Sequence, residues 1–144
     1  MIDEQTKYLS EYRLKKADTL LIQAELLLRN HQYDGSINRS YYAIFNAVRS
    51  VLALLRTDSR SHSGVISFFD RYFVKTGIFD KRFSKIVHAA FDTRQDNDYD
   101  YEDFYVPSEA EAQEQYDYAT QLITEIKQKC ELIVQDKLLL PKIT

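Results

Sequence analysis

Apolar residues recur at helical spacing along most of this chain, and the gaps between the recurrences divide it into segments. Over residues 3–29, Ala17, Leu20, Leu21, Ala24, Leu27 and Leu28 fall three and four apart, with Lys15, Lys16, Asp18 and Glu25 outside. That spacing predicts an amphipathic first helix. Residues 30–33 read as a turn, and Asp34 as the N-cap of a second helix that ends near Arg56. The second helix carries two unlike faces. Ile37, Tyr41, Ile44, Val48, Val51 and Leu55 form an apolar stripe, whereas Asn38, Tyr42, Asn46 and Arg49 step along a polar one. Two amides, a phenol and a guanidinium on one edge suit either a solvated or subunit-facing edge or a surface that meets a ligand.

The polar run at 57–61 predicts a loop. A third helix follows over 62–75, with Val65, Ile66, Phe69, Tyr72 and Phe73 inward and Gly77 placed to stop it. Asp80 is suited to cap a fourth helix with Phe83, Val87 and Ala90 buried, and the next step of four reaches Arg94 on the packed or interface side. An acidic, tyrosine-rich connection occupies 95–106. Ser108 with Glu111 forms a capping-box pattern, and Ala112, Tyr116, Ala119, Ile123, Ile126, Cys130 and Ile133 then continue at four-three spacing. The three leucines at 138–140 need a docking site. No alternating strand pattern or fixed-period repeat competes. The expected fold is all-α, an up-down bundle of four to five helices, with residues 1–144 as one domain.

Charge changes this picture more than composition does. The net charge is −3, yet residues 49–94 carry nine bases and four acids, and residues 95–117 carry nine acids and no base. A basic middle beside an acidic segment points to a charged partner or a self-complementary assembly, unless the blocks neutralise each other in the fold. Eleven Tyr and eight Phe predict aromatic contact surfaces. The lone Cys130 excludes an internal disulfide and a cysteine-rich zinc site, and its place on the last apolar stripe makes it a small core residue. No signal segment opens the chain and no apolar run reaches the roughly 18 residues of a membrane span, so a cytoplasmic protein with no membrane partner is expected.

Asp96, Asp98, Asp100 and Glu102 alternate like the start of a calcium loop, but Tyr101 stands where such a loop needs Gly and Pro107 where it needs Glu. A looser carboxylate site for magnesium stays open; otherwise neither a metal nor a cofactor is expected. His31, His62 and His88 lack metal-ligand spacing and read as surface histidines. Arg94 with Tyr99 and Tyr101 is the constellation best suited to chemistry. An Arg can fork onto a phosphate, and a phenol beside it can hydrogen-bond an oxygen or stack a base. The plain reading is that Arg94 pairs with Asp96 or Asp98 and pins the helix end.

The stretches at 33–54, 62–80 and 94–112 together resemble the small prokaryotic HEPN-domain proteins, and the likeness covers most of residues 10–130 in order. The resemblance implies a four- or five-helix bundle that dimerises through its second and fourth helices. Many such proteins are metal-independent endoribonucleases whose Arg and His meet in a cleft between subunits. In toxin members a Tyr follows, and a minimal nucleotidyltransferase acting as antitoxin adenylylates it. Mapped by that motif, the Arg is Arg94, the modified Tyr is Tyr101, and the His position holds Tyr99. A phenol with a pKa of about 10 is a poor general base near pH 7.

The expectation is therefore a homodimeric HEPN module paired with a nucleotidyltransferase in a toxin–antitoxin-like system. It would bind RNA or a nucleotide phosphate through Asn38, Tyr42, Asn46, Arg49 and Arg94. Two alternatives stay open: an active metal-independent endoribonuclease with Arg94 and Tyr99 catalytic, and a non-catalytic scaffold.

Overall fold

A computed structural model describes residues 2–99 and 106–144, with side chains described up to residue 93 in the fourth helix. Among these residues are five α-helices and no strand: α1 (Glu4–Arg29), α2 (Tyr33–Leu54), α3 (His62–Phe69), α4 (Lys81–Tyr99) and α5 (Glu109–Val134). The all-α bundle expected from the apolar periodicity is thus what the chain forms.

The centre of the bundle is α2, which packs against all four other helices. Fourteen of its 22 residues are buried, too many for a helix with one solvated side. The small residues Ser36, Ser40, Ala43, Ala47 and Ser50 are all fully buried, so neighbouring helices approach the α2 backbone closely. The Ser36 hydroxyl donates to the Ala24 carbonyl (2.8 Å), fixing α1 on α2. Tyr116 donates to Glu25 Oε2 (2.8 Å), tying α5 to α1. The inward positions predicted for α3 and α4, from Val65 to Ala90, are buried in the main core with Ala119, Ile123, Ile126 and Ile133 of α5. Leu138 and Leu140 dock on that core, while Leu139 is exposed.

The helix ends follow local chemistry with one correction. Asp3, Ser61 and Ser108 cap α1, α3 and α5 by accepting from the backbone N–H three residues on. The Asp80 carboxylate accepts from Arg82 N at the start of α4 (2.9 Å). Asp34, however, does not cap α2. Gln32 is the N-cap residue, without a side-chain cap bond, and Asp34 lies in the first turn, where its charge suits the positive end of the helix. Leu52, Ala53, Arg56 and Thr57 close α2 in a Schellman motif, with Arg56 N donating to Ala53 O, Thr57 N to Leu52 O, and Arg56 at φ 55°. This turn aims the chain into the 57–61 loop.

The third helical segment is not uniform. Its α-helical part stops at Phe69, and Asp70–Val74 form a π-helical turn in which Lys75 N reaches Asp70 O (2.8 Å). Gly77 then ends the segment at φ 84°, as a left-handed stop favours.

Candidate functional site

The polar edge of α2 meets the 57–61 loop and the first turn of α3. Its organising group is Asp58. The Asp58 carboxylate accepts from Arg49 Nη2 (2.7 Å) and Nε (3.3 Å), from Arg13 Nη2 (3.1 Å) and from its neighbour Ser59 N (2.8 Å). Arg13 also donates through Nη1 to the Arg49 carbonyl (3.1 Å), so one guanidinium on α1 holds both α2 and the loop. Burial pushes the Asp58 carboxyl up, but the hydrogen bonds from Arg49 and Ser59 and the charges of Arg49 and Arg13 outweigh it and hold it below the ordinary value. Burial and the nearby Arg49 charge pull Arg13 down, and Asp58 offsets part of that.

Beside this charge network stands an aromatic group. His62 opens α3, and its Nδ1 lies 2.6 Å from the Tyr41 hydroxyl. The His62 ring packs on Phe45 at 4.3 Å between centroids, and the Arg49 guanidinium lies over the same Phe45 ring, 5.7 Å from its centroid. Tyr42 meets Tyr41 and His62 edge-on. The outcome is a recess of about 510 Å³ lined by Phe45, Arg49, Asp58, Ser59, Arg60 and His62. Ser61 accepts from Gly64 N (3.0 Å), and a Cβ on Gly64 would lie 2.8 Å from that Ser61 hydroxyl while running into Ser59. An alanine here would have to displace the Ser59 side chain.

The predicted residues are placed differently, with Tyr42 packed edge-on against Tyr41 and His62. Asn46 is buried and donates its amide to the Tyr42 carbonyl (2.8 Å). Asn38 accepts from Arg39 (2.8 Å) and lies two turns from the recess on the same helix. Arg49 lines the recess but is clamped by Asp58. Arg94 and Tyr99 belong to the last turns of α4, where their side chains lie outside the described residues, as do Tyr101 and the acidic alternation around it. His62 corrects the surface-histidine reading: it is half-buried and hydrogen-bonded. The sequence pattern does not single out Arg13, Phe45 or Asp58. It places Tyr41 on the apolar stripe, where its ring does pack while its hydroxyl reaches across. Among the described residues no cluster of His, Cys, Asp or Glu could hold a metal ion. None of the described helices is long and apolar enough to cross a membrane.

The HEPN domain family model matches residues 10–129, most of the chain and at least part of every helix of the bundle. The chain belongs to the HEPN family. Curated relatives of this HEPN protein include "UPF0332 protein" of Thermotoga maritima, 38% identical over 89 residues, which covers 62% of this chain and 67% of the relative. "Putative toxin MJ0142" of Methanocaldococcus jannaschii is 32% identical over 90 residues, covering 62% of this chain and 61% of that protein. A second protein of the same archaeon, "Putative toxin MJ0605", is 31% identical over 83 residues, 58% of this chain and 62% of its own length. The HEPN chain thus spans about three fifths to two thirds of these relatives.

Proposed function

We propose that this HEPN protein is a toxin-like module that acts as a homodimer and binds an RNA or nucleotide phosphate in a cleft between the two copies. The observation that carries this reading is the direct packing of α4, the helix that bears Arg94, on α2, the helix that bears Asn38, Tyr42, Asn46 and Arg49. The toxin names of the archaeal relatives support the same class. Arg94 would grip the phosphate with its planar fork of donors. Tyr42 and Arg49 would border the ligand, with Arg49 needing to leave Asp58 to contact it. Tyr101 would be the residue that a partner nucleotidyltransferase adenylylates.

Binding is favoured over cleavage because Tyr99 occupies the position where the motif calls for a proton-carrying His. The ribonuclease reading has one observation behind it, the His62 imidazole lining the recess with Arg49. One experiment separates them. A labelled RNA is incubated in EDTA with wild type and with Arg94→Ala, and binding and products are both scored. Binding lost in Arg94→Ala without wild-type cleavage supports the module. Cleavage above background that Arg94→Ala abolishes supports the enzyme. Wild-type-like binding by Arg94→Ala refutes the site.

A further inference from the structure

A second feature lies along the α3 segment and shares no lining residue with the recess beside Asp58. A recess of about 400 Å³ opens between that segment and α4, rimmed by Ser63, Ser67, Arg71, Lys75 and His88 over a floor of Ile66 and Phe91. Its one carboxylate, Asp70, is already engaged: Ser84 Oγ donates to Oδ1 (2.6 Å) and His88 Nε2 lies 2.7 Å from Oδ2. The π-helical turn sets this up. Its wider backbone carries Asp70 against α4 and leaves Arg71 and Lys75 on the rim. Single π turns inside helices recur at functional sites.

The charge around the recess is unbalanced. Lys81 and Lys85 lie on the edge of α4 that leads to His88, one turn apart, and both are exposed, as is Lys75. None of these three lysines has a carboxylate partner among the described residues. Arg13, Arg29, Arg49, Arg56, Lys127 and Lys129 are each paired with an acid, whereas Lys7, Lys15 and Lys16 of α1 also have no acid partner among the described residues. Two acids flank this edge: Asp80, next to Lys81, caps α4, and exposed Asp92 lies one turn beyond His88, so the three lysines outnumber them by one. From Lys81 to His88 the helix rises about 10 Å, longer than a single phosphate. The ammonium groups of Lys75, Lys81 and Lys85 suit phosphate oxygens; the Arg71 guanidinium already donates to the Thr144 carbonyl (2.7 Å) and hydroxyl (3.0 Å), and the His88 imidazole is held by Asp70.

We propose that this face, from Lys75 along Lys81 and Lys85, is a track for the phosphate backbone of single-stranded RNA. The inference rests on the reading above that the ligand is RNA, and adds a surface separate from Arg94. It positions a strand by charge and reads no bases.

The test is fluorescence anisotropy of a labelled single-stranded RNA of about 20 nucleotides against full-length protein over a series of salt concentrations. The variants are Lys75→Ala/Lys81→Ala/Lys85→Ala and, as a control on another face, Lys15→Ala/Lys16→Ala. Each backbone contact removed lowers the salt slope by about 0.7 for a single strand, so the triple variant loses about 2 in slope and about tenfold or more in affinity near 100 mM salt. The control keeps the wild-type slope. All replaced side chains are exposed, so both variants fold, which a thermal melt verifies. An unchanged slope in the triple variant overturns the track. So does an equal loss in the control, an absence of RNA binding by wild type, or binding of phosphatidylserine vesicles in place of RNA. Arg94→Ala run alongside keeps the two readings apart: its loss of binding with an intact triple variant leaves the Arg94 site standing and removes the track.

Discussion

Replacing Asp58 by Asn tests whether one carboxylate holds the loop, α1 and α2 together. The amide can still accept from Ser59 N through its oxygen. The Oδ2 position, which takes the 2.7 Å bond from Arg49 and the 3.1 Å bond from Arg13, becomes an NH₂ donor facing two cations. Hydrogen bonds to charged groups contribute about 1.5–3 kcal/mol each. The Asp58 side chain is 42% exposed, so water competes and screening roughly halves that figure. Arg13, at 13% exposure, gains less from water once its partner is gone. The expected loss is about 2–3 kcal/mol, which for a chain of this size lowers Tm by about 5–10 °C. The sign of the pH effect follows from the depressed Asp58 pKa. Its stabilisation is complete above the unfolded carboxyl value of about 3.9 and fades as pH falls through the lower folded value. Thermal melts of both proteins should therefore show the full gap at pH 7 and a closing gap below about pH 4. A gap under about 1 °C at pH 7, or one that stays constant down to about pH 3, would refute the reasoning.

Three further outcomes are expected. Gly64→Ala should cost about 1–2 kcal/mol in urea unfolding, because the added methyl displaces Ser59 and the Ser61 cap of α3. Ser40→Ala should be stabilising by about 1 kcal/mol in the same assay, since the buried Ser40 hydroxyl has no hydrogen-bond partner among the described residues and Ala is the better helix former. Cys130, buried between Ser10 and Ser50 with its thiol pushed up to about 11 mainly by burial, should resist a thiol reagent at about pH 8 in the native protein and react at once in denaturant.

The helices are legible in the sequence because each carries an apolar stripe, a property of neighbours three and four residues apart, although the fuller burial of α2 is not. The same holds for the Ser108 cap and the Gly77 stop, which depend on a few adjacent residues. The recess on α2 is only half legible. Asn46 and Arg49 stand out as polar groups on a buried helix, but their partners do not. Asp58 joins Arg13 across 45 residues, and Tyr41 joins His62 across 21. Periodicity carries no information on which loop residue meets which helix face. Tyr41 reads as apolar by spacing, and only its hydroxyl betrays the contact with His62. The π turn at Asp70–Val74 is hidden for a related reason: a wider turn of i to i+5 bonding leaves the apolar pattern of Phe69, Tyr72 and Phe73 almost intact. Asp34 misleads because Asp suits a cap and a first turn alike.

Arg94 is proposed to hold a phosphate between two copies of this bundle. Native mass spectrometry of the protein with a short single-stranded RNA tests that most directly. Two chains per RNA with wild type, and loss of RNA from an intact dimer with Arg94→Ala, is the predicted result. One chain per RNA, bound as well by Arg94→Ala as by wild type, would contradict it.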